Sequence, residues 1–150
     1  MKQPNYQYRI LTEHDLLAIN DVIKEAVMAW PIAARLRRLS ATVLIYDEMD
    51  LAHYQGYVAV SDEQVIGCIL WDPEHQDSLI HGLYVAPNHQ TMGVGKQLLE
   101  QVYNDARDNG KKTIHVKAER VSCGYFEHLG MRFVEQQSPT SYPYLFSKLL

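Results

Sequence analysis

Residues 79–110 read "LIHGLYVAPNHQTMGVGKQLLEQVYNDARDNG", and this stretch decides the fold. An apolar run that stops at Pro87 predicts a strand, and the residues after Gly95 have the apolar spacing of an amphipathic helix that ends at Asn109-Gly110. Gly93 and Gly95 stand at the start of that helix, where glycine lowers stability. A phosphate bound by exposed backbone N–H groups is the usual compensation. The stretch therefore predicts a strand, a phosphate-binding turn and a helix.

Two well-known phosphate-binding motifs do not fit this turn. A P-loop needs Ser or Thr after its lysine, but Gln97 follows Lys96, and Gln90 occupies the position of the first glycine. A dinucleotide-binding fingerprint needs a third glycine where the chain has Leu98. Both nucleotide-binding classes are therefore excluded on named residues.

The rest of the chain alternates strand and helix patterns without repeats or linkers. A strand precedes a helix capped near Thr12, and a second helix is predicted over about residues 33–46. Two apolar runs around the turn 61–64 predict a hairpin. The predicted order is β-α-α-β-β-β-α-β-α-β-β, which indicates an α/β (α+β) fold with a mixed sheet, helices on both faces and one domain over residues 1–150.

Composition excludes several classes of function. The 150 residues are 47% hydrophobic and carry a net charge of -4, which argues against nucleic acid as a partner. No apolar run is long enough to span a membrane, and no secretory leader is visible. Cys68 and Cys123 lack a metal or disulfide spacing, so we expect a cytoplasmic protein with reduced thiols. The seven histidines show no metal-ligand pattern, so no metal is expected.

Two segments together resemble the GCN5-related N-acetyltransferase (GNAT) superfamily. "LYVAPNHQTMGVGKQLL" is similar to motif A of that family, a strand and proline turn followed by Q/R-x-x-G-x-G/A, and "YFEHLGMRFVE" resembles its motif B, FYxxLGF. The order of the predicted elements also matches over almost the whole chain. The resemblance implies a mostly antiparallel sheet of six to seven strands and acetyl-CoA as co-substrate.

The resemblance also implies which residues hold acetyl-CoA. Backbone N–H groups from about Thr91 to Lys96 would bind the pyrophosphate, and the strand edge at 83–85 would pair with the pantetheine. A backbone N–H near Leu83 or Val85 would polarise the thioester carbonyl. The Lys96 side chain either adds charge near a phosphate or is simply solvated. The expected contacts are Leu83, Tyr84, Val85, Gln90, Thr91, Met92, Gly93, Val94, Gly95, Lys96, Ser122, Tyr125 and Phe126.

His81 is the first candidate for the base that deprotonates an attacking amine. It lies on the strand before the cofactor segment, and the period of two along a strand places it on the face of Leu83 and Val85. The alternative is a packed or solvent-facing strand histidine. Glu119 and Asp72, at strand ends, are further alternatives for the base.

Tyr125 is the candidate acid for the departing thiolate, but motif B departs from the family pattern here. The alignment places Phe126 where the family has its tyrosine, and Tyr125 lies one position earlier, a turn of about 100° on a helix. The missing tyrosine leaves open a second hypothesis, a non-catalytic acetyl-CoA-binding regulatory or sensor module of the same fold.

The first hypothesis is an N-acetyltransferase that moves the acetyl group directly to a primary amine of a small molecule or peptide. Cys123 is interpreted as a buried small hydrophobe and not as an acyl carrier. The resemblance allows a homodimer. Three aromatic residues are candidates for the acceptor pocket: Trp30, Tyr142 and Tyr144.

Overall fold

The computed structural model describes residues 4–76, 78–137 and 144–150. The strands are β1 (Gln7–Ile10), β2 (Gln55–Ser61), β3 (Gln64–Asp72), β4 (Leu79–Val85), β5 (Thr113–Ala118), β6 (Arg132–Gln136) and β7 (Tyr144–Leu149). The helices are α1 (Leu16–Met28), α2 (Ala34–Val43), α3 (Glu48–His53), α4 (Val94–Asp108) and α5 (Cys123–His128). Tyr142 lies outside the described residues.

The seven strands form one sheet in the order β1-β2-β3-β4-β5-β7-β6. Every neighbouring pair is antiparallel except β4 and β5, which are parallel. This confirms the expected mixed, mostly antiparallel sheet. The turn between β2 and β3 has positive φ at Asp62 and Glu63, as a tight hairpin turn requires.

Helices cover both faces of the sheet, as expected. One core cluster joins α1 to alternate residues of the central strands, among them Ile19, Ile23, Val27, Val58, Cys68 and Leu70. The other cluster joins α4 and α5 to the intervening residues, among them Ala59, Ile69, Trp71, Leu98, Val102 and Phe126. We call these the α1 face and the α4 face. The alternation follows from the opposite directions of successive strand side chains.

The second predicted helix is wrong in its extent, and a third helix follows it. α2 ends at Val43, and α3 begins after Asp47. The Asp50 N–H donates to the Asp47 carboxylate at 2.9 Å, and the Asp47 N–H donates to the Asp50 carboxylate at 2.8 Å. This reciprocal capping box starts a new helix and turns the chain at this point. It also places Tyr46 and Tyr54 on either side of α3.

Candidate active site

A cleft opens where β4 and β5 separate. Their register contains only Leu79 with His115 and Ile80 with Val116, whereas β3 follows β4 as far as Val85. The two strands are parallel, so their C-terminal ends lie at the same, open end of the cleft. Backbone groups of β4 beyond Ile80 are therefore free of the β5 ladder within the described residues. The residues expected beside a pantetheine, 83–85, lie on this stretch.

The glycine turn leads directly from β4 into α4. Thr91 and Gly93 both have left-handed backbones, with φ of 66° and 81°. The Gln97 N–H donates to the Gly93 carbonyl at 3.1 Å, which is the first bond of α4. The N–H groups of Val94, Gly95 and Lys96 precede that bond and have no acceptor inside the helix. Free N–H groups and the positive end of the helix dipole are the features that favour an anion at the start of a helix.

The side chains of the turn have different surroundings. Gln90 Nε2 donates to the Val85 carbonyl at 3.1 Å, so this side chain fastens the turn to the end of β4. Val94 is only 1% exposed and belongs to the core, so it offers a ligand its backbone alone. Met92 and Lys96 are exposed. No heavy atom lies within 4 Å of the Cβ position of Gly93, so the space above the turn is open.

Tyr125 reaches the same turn from α5. A Cβ on Gly95 would overlap the Tyr125 hydroxyl, so glycine at this position makes room for the phenol. Burial raises the pKa of Tyr125 to about 12, so the phenol keeps its proton at neutral pH. Phe126 is instead a core residue, 6% exposed and packed against Phe146 at a centroid distance of 6.0 Å. Ser122 ends the short turn before α5, and its N–H donates to the Glu119 carbonyl at 3.0 Å.

His81 lies on the α1 face, so the expectation that it shares a face with Leu83 and Val85 is wrong. The reason is a β-bulge: Leu70 pairs with Gly82 and Trp71 with Ile80, which leaves His81 as the extra residue of β4. Leu83 and Val85 pack in the α4-face cluster. His81 instead contacts aromatic residues beside α3.

Two tyrosines hold the His81 imidazole. The Tyr46 hydroxyl lies 2.8 Å from Nδ1, and the Tyr54 ring stacks on the imidazole at a centroid distance of 4.4 Å and an angle of 26°. A Cβ on Gly82 would overlap the Tyr46 hydroxyl, so glycine at this position leaves room for that hydroxyl beside His81. Burial lowers the pKa of His81 from 6.5, although the charges of Asp50 and Asp72 oppose that effect. His81 is therefore uncharged at neutral pH.

The two alternative bases differ in their surroundings. Burial raises the pKa of Glu119, the residue after β5, to about 7. Burial also acts to raise the pKa of Asp72, but the hydrogen bond from His53 and backbone N–H groups lower it overall. The His53 Nε2 lies 3.1 Å from the Asp72 carboxylate. Glu119 can therefore exchange a proton near neutral pH, whereas Asp72 remains an ionised partner of His53.

Sequence reasoning missed Tyr46 and Tyr54 because their roles depend on α3. One signal was available, since a glycine inside a strand often marks a bulge or a close approach, and Gly82 follows His81 directly. The two described aromatic residues that were predicted to line the acceptor pocket pack against different core clusters. Trp30 packs against the α1-face cluster and Tyr144 against the α4-face cluster.

Comparison with known proteins identifies the family. The model of the "Acetyltransferase (GNAT) family" matches residues 19–131, which include both glycines of the turn and the whole of α5. The chain belongs to the GNAT acetyltransferase family. No curated protein is significantly similar in sequence to this GNAT chain.

Solved structures share the GNAT fold at low sequence identity. PaiA N-acetyltransferase from Thermoplasma acidophilum, in complex with coenzyme A, has a TM-score of 0.80 at 18% identity, over 97% of this chain and 99% of that one. The yncA protein of Salmonella typhimurium, with its cofactor acetyl-CoA, gives 0.66 at 19% identity over 97% and 94%. The ribosomal-protein-S18-alanine N-acetyltransferase of Escherichia coli gives 0.68 at 16% identity over 97% and 94%. These GNAT neighbours establish the fold, and two of them carry coenzyme A or acetyl-CoA.

The described residues contain no group of three or more His, Cys, Asp or Glu side chains able to hold a metal ion. Within the same ranges, no helix combines the length and apolar character needed to cross a membrane.

Proposed function

We propose that this GNAT protein is an N-acetyltransferase that moves an acetyl group from acetyl-CoA to a primary amine of a small molecule or peptide. The observation that carries the proposal is the presence of three features along β4 and directly after it. These are the separation of β4 from β5, the glycine turn with its free N–H groups, and the uncharged imidazole of His81.

Acetyl-CoA fits the residues at this site as a co-substrate that supplies an acetyl group and a thiolate leaving group. The N–H groups at the start of α4 bind its pyrophosphate, and Tyr125 and Ser122 flank the path from that turn into the cleft. A backbone N–H of β4 near Leu83 or Val85 polarises the thioester carbonyl. Lys96 adds a positive charge at the exposed side of the turn.

His81 accepts the proton that the amine must lose. A free alkylammonium has a pKa of about 10.4, so the protein needs a group that removes this proton. His81 takes one proton from the ammonium to give the neutral amine. As the C–N bond forms and the C–S bond breaks, the second proton of the amine leaves through water, and the thiolate takes a proton from Tyr125 or from water. Glu119 is the second candidate for the base, because its pKa of about 7 suits proton transfer.

Direct transfer is favoured over an acyl-cysteine route. Burial raises the pKa of the Cys123 thiol, and its Sγ points to the Glu119 carbonyl at 3.6 Å, so a thiolate is disfavoured. The uncharged imidazole of His81, a group able to take the amine proton, supports the enzyme over a non-catalytic acetyl-CoA-binding module. Both described cysteines are unpaired, which supports a cytoplasmic location.

Calorimetric titration with acetyl-CoA tests the proposal, with ATP and NAD as control ligands. We expect micromolar binding of acetyl-CoA alone, followed by release of free thiol when a panel of primary amines is added. Binding without turnover on any amine would favour the sensor module. Absence of binding would contradict the proposal.

Two glycine variants make this titration specific to the turn. Gly93→Glu places a bulky anion at the phosphate site and should abolish binding. Gly110→Glu is its matched control, because Gly110 follows the other end of α4, has φ of 75° and likewise has no atom within 4 Å of its Cβ position. Equal loss of affinity in both variants would indicate damage to α4 and not loss of a phosphate site.

A further inference from the structure

We infer that Tyr46 is a positioning residue that accepts a hydrogen bond from Nδ1–H of His81 and thereby leaves the lone pair of Nε2 free to take the acceptor's proton. This inference rests on the proposed function. It adds a residue outside both sequence motifs and specifies which nitrogen of the imidazole reacts.

The contact between the two side chains is well defined by its surroundings. The Tyr46 hydroxyl lies 2.8 Å from Nδ1, and the tyrosine is only 5% exposed, whereas His81 itself is exposed. Three features bring the groups together: the bulge turns His81 to the α1 face, Gly82 leaves room for the hydroxyl, and the Tyr54 ring fixes the imidazole plane. Nε2 has no hydrogen-bond partner among the side chains that the structure describes.

The direction of the hydrogen bond decides whether His81 can act as a base. If the phenol donates to Nδ1, the proton of the neutral imidazole is on Nε2, which then has no lone pair for the amine proton. If Nδ1–H donates to the phenol oxygen, Nε2 is the free base. Only the second arrangement keeps the same hydrogen bond before and after protonation, so no reorganisation accompanies proton transfer.

Tyr46 can act as the acceptor because the oxygen of its phenol has lone pairs, and the phenol stays protonated. Burial raises its pKa well above 10, with further contributions from Tyr84, Cys68, Tyr54 and Asp50. The charged and titratable groups that act on His81 come from two elements, Asp50 and His53 from α3 and Asp72 from β3. Glu119, whose pKa burial raises to about 7, is a second possible base, so a loss of activity at a single pH does not identify the state of His81.

The test is the tautomer of His81, measured by long-range ¹H–¹⁵N correlation on protein with ¹⁵N-labelled histidine. The signal is assigned by its loss in His81→Gln. We expect neutral wild-type protein to carry the proton on Nδ1, and Tyr46→Phe to shift it to Nε2. Tyr54→Phe is the matched control, because it also removes one hydroxyl beside His81 but keeps the stacked ring, and it should leave the tautomer unchanged.

Kinetics with the best amine give a second readout. Tyr46→Phe should lower kcat by at least about tenfold with little change in the KM for acetyl-CoA, since a positioned base contributes roughly 10²–10⁴-fold. Gly82→Ala, whose Cβ would displace the same hydroxyl, should have the same effect on the tautomer. It serves as the second variant if Tyr46→Phe does not fold.

Two results would overturn the inference. One is a proton on Nε2 in the wild-type protein, which needs no variant to detect. The other is an unchanged tautomer in Tyr46→Phe or Gly82→Ala. Neither measurement requires acetyl-CoA or an amine, so failure here is distinguishable from failure of the acetyltransferase proposal, which the titration and turnover report.

Discussion

Burial has opposite effects on the pKa values of the two candidate bases. It lowers the pKa of His81 from 6.5 and raises that of Glu119 to about 7, because in both cases it disfavours the charged form. Ile114, Val116 and Ala118 of β5 pack in the α4-face cluster, so alternation places the next residue, Glu119, on the opposite face, which is the face of His81. One candidate base therefore lies on β4 and the other directly after β5, the two strands that separate.

The pH dependence of kcat/KM distinguishes the two bases. A base is active when deprotonated, so the rate should rise through its pKa, and for His81 that rise lies below pH 6.5. We expect His81→Gln to remove this acidic limb and to lower kcat/KM by roughly 10²-fold or more. Glu119→Gln, the matched variant of the residue that follows β5, should keep the acidic limb.

The contrary outcome is equally informative. A limb near pH 7 that disappears in Glu119→Gln and persists in His81→Gln would assign the base to Glu119 and reduce His81 to a packing residue.

At the scale of elements, α4 and α5 meet at Gly95 and Tyr125. Gly93 is needed because its backbone has a positive φ. Gly95 is needed because the Tyr125 hydroxyl occupies the place of a Cβ atom. The same turn therefore needs two glycines for two different physical reasons. The sequence motif records both as G-x-G and does not distinguish them.

Gly95→Ala should destabilise the protein and weaken acetyl-CoA binding. The added methyl group overlaps the Tyr125 hydroxyl, and overpacking of this kind costs about 1–3 kcal/mol. Adding Tyr125→Phe removes the overlapping oxygen, so the double variant should recover part of the loss in urea unfolding and in calorimetry. Additive effects of the two substitutions would contradict direct contact between these residues.

The elements that were predictable from sequence are those with a strong local pattern. β4, the glycine turn and α4 are confirmed, as are α5 and its end at Gly130, which has φ of 87°. α3 was missed because its apolar pattern is weak, and its capping box uses Asp50 in place of the usual Glu. The bulge was missed because it is a property of the pairing between β3 and β4.

At the scale of the molecule, the sheet separates the two halves of the proposed reaction. The glycine turn, α4 and α5 lie on one face, whereas His81, Tyr46 and α3 lie on the other. The stretch where β4 and β5 are not paired lies between these two faces. An acetyl group held in this cleft could be approached by an amine from the α1 face, while the rest of the co-substrate stays on the α4 face.

The stability of the whole fold should depend on the ion pair between Arg9 of β1 and Asp15, the residue before α1. Asp15 is buried and accepts two hydrogen bonds from Arg9, at 2.8 and 2.9 Å, and one from the Thr12 N–H at 2.8 Å. The hydrogen bonds from Arg9 lower the pKa of Asp15 by more than burial raises it, so this pKa lies below 3.8. A lowered pKa means that this stabilisation is present above pH 3.8 and is lost as pH falls through the folded-state value.

Asp15→Asn should therefore lower the free energy of unfolding at pH 7 by about 1–2 kcal/mol, a modest figure because Arg9 is half exposed. Urea unfolding over a pH series measures this. The difference between wild type and variant should shrink as the pH is lowered below 3.8. A difference that stays constant with pH would mean that the carboxylate charge contributes nothing.

The extra residue in β4 also has a consequence for evolutionary comparison. A relative whose strand lacks the bulge aligns with this chain only if a gap is opened at His81. Without that gap, every position on one side of His81 is matched to a residue whose side chain points to the opposite face of the sheet. Substitution patterns of the α4 face are then confused with those of the α1 face. Searches for relatives that share an acceptor should therefore score residues 79–85 with this gap, and should give weight to a glycine directly after it.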